Sequence, residues 1–260
     1  MKNFLILIVV LLALSFASCT GECCNGECSQ EGLSQSDCYI EPPQCDSDST
    51  YSLNNIIYGP EVTHDNKVYK TVAIGEQIWF AENLNAMHTA ENGKSWCNHD
   101  DPANCDKYGR LYDWATAMNL PSDCNERSCT DDIQPKHRGI CPDGFHIPSD
   151  DDWNTLMKTT GDSLTAGKKL RTKSGWADSF NCNYGTDDYG FSALRSGYRV
   201  PDNSSIWGGP DYYGSSGSWW WSSNSNFYNA SCWSIFANYE SVIRSGYDKY
   251  YGFSVRCVQD

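Results

Sequence analysis

Fourteen cysteines in 260 residues constrain this chain more than any other feature. Cysteines in such number at scattered spacings point to an oxidising compartment, where disulfides form and persist. They fall into three groups. Cys19 stands at the end of an apolar run. Cys23, Cys24, Cys28, Cys38 and Cys45 follow among Ser, Gly, Gln and Pro. Cys97, Cys105, Cys124, Cys129, Cys141, Cys182, Cys232 and Cys257 are spread through the remainder. The even group of eight fits a closed framework of four bridges, whereas a group of five leaves one thiol over. Thiolates as close as Cys23, Cys24 and Cys28 also suit soft metals. No histidine accompanies them, so disulfides are expected there too.

The apolar run, Phe4 to Ala17, has 14 residues broken only by Ser15 and preceded by Lys2. It falls short of the roughly 20 residues needed to span a bilayer as a helix, so it reads as a secretion signal. Its end, Phe16-Ala17-Ser18-Cys19, resembles the bacterial lipobox, with Phe16 where Leu is usual. That resemblance implies a signal peptide over residues 1–18, acylation at Cys19 and a lipid anchor in the membrane. The address is then the bacterial cell envelope, at the outer membrane or cell surface. Simple signal cleavage near Ala17 is the alternative. Residues 19–55 contain seven acids, Glu22 to Asp48, and no Lys or Arg, with no apolar periodicity; they read as a solvated tether.

Residues 56–260 form the globular part. They carry 26 acidic and 18 basic residues, and the whole chain is −14. So acidic a chain lacks the Lys/Arg surplus needed to neutralise phosphates, which excludes nucleic acid as a partner. Val68 to Ile74 and Gln77 to Phe80 flank Gly75-Glu76 and predict a hairpin. Leu111, Trp114, Ala115 and Met118 fall at helical spacing and predict a helix over 108–118. Ser149 followed by three aspartates predicts an N-terminus, with Trp153, Leu156 and Met157 on one face and Gly161 as the stop. A third helix is expected through Ala166-Gly167-Lys168-Lys169-Leu170. The last ninety or so residues, rich in Gly, Ser, Asn, Trp and Tyr, predict short strands joined by long loops.

Several segments together resemble the Fibrobacter succinogenes major paralogous domain. They are Ile74 to Asn85 (IGEQIWFAENLN), Tyr108 to Ala115 (YGRLYDWA), Cys141 to Ser149 (CPDGFHIPS), Gly190 to Leu194 (GFSAL) with Gly197-Tyr198-Arg199, Trp219 to Ser223 (WWWSS), and Gly252 to Val258 (GFSVRCV). The resemblance implies an α+β fold similar to C-type lectins and the sulfatase-modifying, formylglycine-generating enzymes: short twisted sheets, two or three helices and long disulfide-tied loops. It brings no established activity. Among the eight domain cysteines, Cys97 with Cys105 and Cys124 with Cys129 would clip short loops. Cys141 with Cys257 would form a long-range clasp similar to those of lectin-like folds, which leaves Cys182 with Cys232.

The formylglycine-generating group uses two cysteines near its C-terminus to hold copper. The close pair here, Cys124 and Cys129, lies mid-domain, and a disulfide is the expectation for it. The five histidines show no ligand spacing, and His146, between Phe145 and Ile147, reads as a packed, hydrogen-bonded residue. With no catalytic constellation in the sequence, the expected role is a non-catalytic surface-binding or adhesion module, for polysaccharide or another surface ligand. An enzyme related to the formylglycine-generating group and a purely structural envelope protein are the alternatives. Aromatic faces stack on sugar rings, which makes Trp207, Tyr212, Tyr213, Trp220 and Trp233 candidate ligand contacts. Large aromatics usually pack instead; in a strand, Trp219 and Trp221 would point one way and Trp220 the other. Asp187 and Asp188 are candidate calcium ligands; no other cofactor is expected.

Overall fold

The computed structural model describes residues 23–24, 27–28, 56–87, 94–176, 185–201, 216–224 and 226–260. The signal run, Cys19 and most of the tether lie outside the described residues, as does Cys182. The chain divides into two units, Met1–Pro42 and Pro43–Asp260. Within the first, β1 (Cys23–Cys24) pairs antiparallel with β2 (Glu27–Cys28). That places a small ladder where the sequence suggested only tether. Among the described residues no helix is long and apolar enough to cross a membrane.

The second unit is α+β. It begins with β3 (Ile57–Tyr58), β4 (Val62–His64), β5 (Lys67–Tyr69), β6 (Thr71–Ile74) and β7 (Gln77–Phe80). The run Val68 to Ile74 is thus two strands. β5 turns back on β4 through Asp65 and Asn66, both at positive φ, while β6 and β7 form the hairpin about Gly75-Glu76. β10 (Phe145–His146) and the C-terminal β14 (Val258–Gln259) complete a five-stranded sheet of order β10-β14-β7-β6-β3.

The helix expected over 108–118 is broken. α1 (Pro102–Tyr108) starts on the Asp101 cap and ends at Gly109; β9 (Leu111–Tyr112) pairs with β8 (Ser95–Trp96); α2 (Trp114–Ala117) then begins on Asp113, whose carboxylate accepts from Thr116 N. Gly109 is the cause. At φ +79° it turns the chain out of the helix, and a Cβ there would lie 2.6 Å from Asn83 Cβ. Leu111, Trp114, Ala115 and Met118 are all buried, so the helical spacing recorded burial and not helix. α3 (Asp150–Thr160) is as expected, with a capping box between Ser149 and Asp152 and a stop at Gly161, and so is α4 (Ala166–Leu170).

The C-terminal strands are longer than expected: β11 (Ser216–Asn224), β12 (Asn229–Phe236) and β13 (Val242–Asp248) form an antiparallel sheet of 9, 8 and 7 residues. β11 obeys the strand alternation yet buries both faces. Trp219 and Trp221 enter one core with Trp79, Trp153, Leu156 and Ile235, while Trp220 enters a second with Tyr112, Phe253 and Val255. Disulfides join Cys97 to Cys105, Cys124 to Cys129 and Cys141 to Cys257. The last ties the segment before β10 to the residue preceding β14. The expected partner of Cys182 is a correction: Cys232 is a free, buried thiol on β12, 3.6 Å from Ser234 Oγ, and burial pushes it up to about 12. The Lys249 ammonium is buried beside the second bridge. It donates to the carbonyls of Cys124, Arg127 and Phe227 and lies 4.5 Å above the Trp114 ring.

Candidate ligand-binding cleft

The aromatic platform expected on the C-terminal strands is not formed by Trp220 or Trp233. Trp220 is 0 % exposed; its Nε1 donates to Tyr112 O at 2.7 Å, and its ring lies 4.5 Å from Phe253. Trp233 is 6 % exposed and stacks on Trp153 with centroids 6.0 Å apart. β11 and β12 are buried on both faces, so neither ring is free to meet a sugar. Trp207, Tyr212 and Tyr213 lie outside the described residues. Trp233 does line an open groove of about 570 Å³ along α3, with Asp151, Asn154, Lys158 and Asp162, but its stacked face is already used.

A more enclosed cleft, of about 230 Å³, opens elsewhere. It collects Tyr58 of β3, Lys67 of β5, Lys70, the Ala81-Glu82-Asn83 segment after β7, Asp106 to Gly109 at the end of α1, and Ser192 with Leu194. Gly109 permits the closure. Its lack of a side chain lets the end of α1 press on Asn83 and Leu84, and Arg110 N then donates to Leu84 O at 2.9 Å.

Asn83 is the hub of the floor. Its Oδ1 accepts from Trp219 Nε1 at 2.8 Å and from Arg256 at 2.7 Å (Nη2) and 3.2 Å (Nε). Its Nδ2 donates to Tyr108 O at 2.9 Å and to Ser254 Oγ at 3.3 Å. Ser254 Oγ in turn donates to Ser196 Oγ. Arg256 is wholly buried; it also donates to Phe191 O and lies 4.3 Å over the Phe191 ring. Burial pulls its guanidinium down to about 9, against the fields of Asp187 and Glu82.

The segments meeting here are remote in sequence, and the family model of the Fibrobacter succinogenes major domain matches residues 72–259, which take in all of them except Tyr58, Lys67 and Lys70. The chain belongs to the Fibrobacter succinogenes major domain family. No curated protein sequence and no solved structure matches it. In this major domain, all but one (Cys141 to Ser149) of the segments that carry the family resemblance contribute to the cleft. AENL supplies Glu82 and Asn83, YG supplies Tyr108 and Gly109, GFSAL supplies Ser192 and Leu194, and the Trp triplet and final segment supply Trp219, Ser254 and Arg256 beneath.

Three lysines, Lys67, Lys70 and Lys107, border the cleft, and none joins an ion pair among the described residues. Lys67 and Lys107 lie over the rings of Tyr69 and Tyr108 at 5.0 and 4.7 Å. Glu82 Oε2 is buried with no hydrogen-bond partner. Tyr58, at the rim, is 59 % exposed. Sequence reasoning passed over these residues because each is ordinary in its own segment.

The remaining candidates lie elsewhere in the fold. Asp187, at φ +47°, accepts from Ser192 N at 2.8 Å and Ser192 Oγ at 2.7 Å; burial raises its pKa against those bonds. Its two carboxylate oxygens therefore brace the loop that presents Ser192 to the cleft. Asp188 lies beside it, its backbone N–H donating to Lys169 O. Among the described residues one group gathers metal-ligating types, Cys124, Cys129 and Asp132, and its two sulfurs are joined in a disulfide. Neither sulfur is then a thiolate that could hold copper. His146 is buried between Asp152 (3.2 Å) and Asp260 (2.8 Å). It links α3 to the C-terminal strand.

Proposed function

We propose that this major domain is a non-catalytic binding module with a lectin-like α+β fold, lipid-anchored to the bacterial envelope through Cys19, and that it engages surface polysaccharide in the cleft and not on the Trp-rich strands. The observation that supports this is how the cleft is made. Its floor is locked by hydrogen bonds among Asn83, Arg256, Trp219 and Ser254, while Glu82, the three lysines and Tyr58 remain for a ligand. A rigid floor with uncommitted polar groups above it suits binding, because little ordering entropy is lost on association. At about 230 Å³ the cleft lies below the roughly 300–1,000 Å³ of typical ligand pockets. It therefore accommodates one ring or a chain end, not a long segment.

The test is polysaccharide pull-down and glycan-array binding with the full chain, beside Glu82→Ala and Tyr58→Ala. Retention by the parent that drops in both variants supports the cleft. Equal retention by all three, or none, removes it. Mass spectrometry of the mature N-terminus tests the anchor: an acylated Cys19 is expected, and a free N-terminus near Ser18 would replace it with simple secretion.

A further inference from the structure

We infer that the unit seated in this cleft is an acidic sugar, one carrying a carboxylate beside free hydroxyls; this rests on the proposed binding role of the same cleft. The first ground is charge. The chain is strongly acidic at −14, yet the cleft gathers Lys67, Lys70 and Lys107 against only Glu82 and Asp106. Five basic side chains elsewhere pair with carboxylates: Arg127 with Asp123, Arg138 with Asp143, Lys168 with Glu240, Arg199 with Asp100 and Arg244 with Asp150. The cleft lysines are in no such pair. Behind the floor lies a fourth cation, Arg256, held by an amide oxygen, a carbonyl and aromatic faces with no carboxylate in contact among the described residues. Its positive charge, offset in part by Asp187 and Glu82, adds to the potential in the cleft. The balance favours an anion.

The second ground excludes a simple anion. Glu82 lines the cleft beside the lysines, and a carboxylate there favours a ligand that brings it a hydrogen-bond donor. Sulfate brings only acceptors to that spot, and phosphate offers few hydroxyls on a highly charged centre, so the carboxylate repels both. A sugar hydroxyl donates to it while an acidic substituent on the same ring reaches the lysines. The ligand therefore needs both an anionic group and hydroxyl donors, which a neutral hexose and an inorganic anion each only half supply. The exposed Tyr58 ring offers a face for the sugar, since Lys107 already occupies that of Tyr108.

The experiment is titration calorimetry of the full chain with galacturonic acid, galactose and sodium phosphate, at low and raised salt, repeated on Lys70→Ala, Lys107→Ala and Glu82→Ala. Galacturonic acid should bind at least tenfold more tightly than either control and weaken as salt screens the lysines. Each lysine variant should lose about two- to fivefold, the scale of an exposed ion pair. Glu82→Ala should lose affinity for the sugar acid without gaining it for galactose. Equal binding of galactose and galacturonic acid overturns the acidic-sugar inference and leaves the cleft reading standing. Equal binding of phosphate overturns the sugar. Galacturonic acid binding that the variants leave unaltered, or no binding by any probe while the chain still retains polysaccharide, places the ligand elsewhere or makes it another class, and the inference falls.

Discussion

Replacing Asn83 by Ala should be among the most damaging single changes in the domain. The buried side chain accepts from two Arg256 donors and from Trp219 Nε1, and donates to Ser254 Oγ and to the half-buried Tyr108 O. Truncation leaves three donors, two of them on a charged guanidinium, and one carbonyl without their partner. A buried unsatisfied group costs about 1–3 kcal/mol, more when charged, and a water entering the vacated volume recovers part of it. The net expectation is a loss of about 3–6 kcal/mol, set against a typical total stability of roughly 5–15 kcal/mol. Urea denaturation followed by tryptophan fluorescence, with disulfides intact, reads it as a lowered midpoint at unchanged slope. Asn83→Asp should lose less, because it keeps acceptors for Arg256 and Trp219 and sacrifices only the two donated bonds. Should Asn83→Ala lose under about 1 kcal/mol, or Asn83→Asp lose more than Asn83→Ala, the hub as described is wrong.

Two further measurements test the frame around the cleft. Removing Cys141–Cys257, which closes a separation of 116 residues, should cost about 5 kcal/mol in the loop-entropy account, against about 2 for Cys124–Cys129 at a separation of 5; paired Cys→Ala variants compared by thermal melts would contradict this if the order reversed. At Asp152 burial pushes the pKa up, but hydrogen bonds from His146 and Ser149 outweigh it and hold the carboxyl down at about 2, below its ordinary 3.8. The ionised form therefore contributes about 2 kcal/mol above pH 4, lost as pH falls toward 2. Asp152→Asn should be less stable than the parent at pH 6 and show a shallower acid decline, read from denaturation midpoints between pH 6 and 2; parallel curves would contradict the assignment.

What could be read from the chain alone was local. α3 is written out by Ser149, three aspartates, an apolar face and Gly161, each acting within a turn of its neighbours. Gly75-Glu76 specifies its hairpin in the same way. The region 108–118 misleads because burial at helical spacing can be met by a helix, a strand and a turn in succession. The choice was made by a glycine packing on Asn83, some 25 residues earlier in the chain. The Trp triplet shows a different limit. Its alternation was legible, but whether either side meets solvent depends on two cores assembled from distant segments. The cleft was least legible, since its residues come from five stretches and acquire meaning only where they meet. The free thiol at Cys232 shows that an even cysteine count does not guarantee complete pairing.

Strand β11 is a party wall. With Trp219 and Trp221 lodged in one core and Trp220 in the other, any opening that releases this strand takes shelter from both at once. The two cores are therefore expected to melt in a single transition, not in sequence. Asn83 stands on the same wall through Trp219, so the shape of the cleft persists only while the whole domain does.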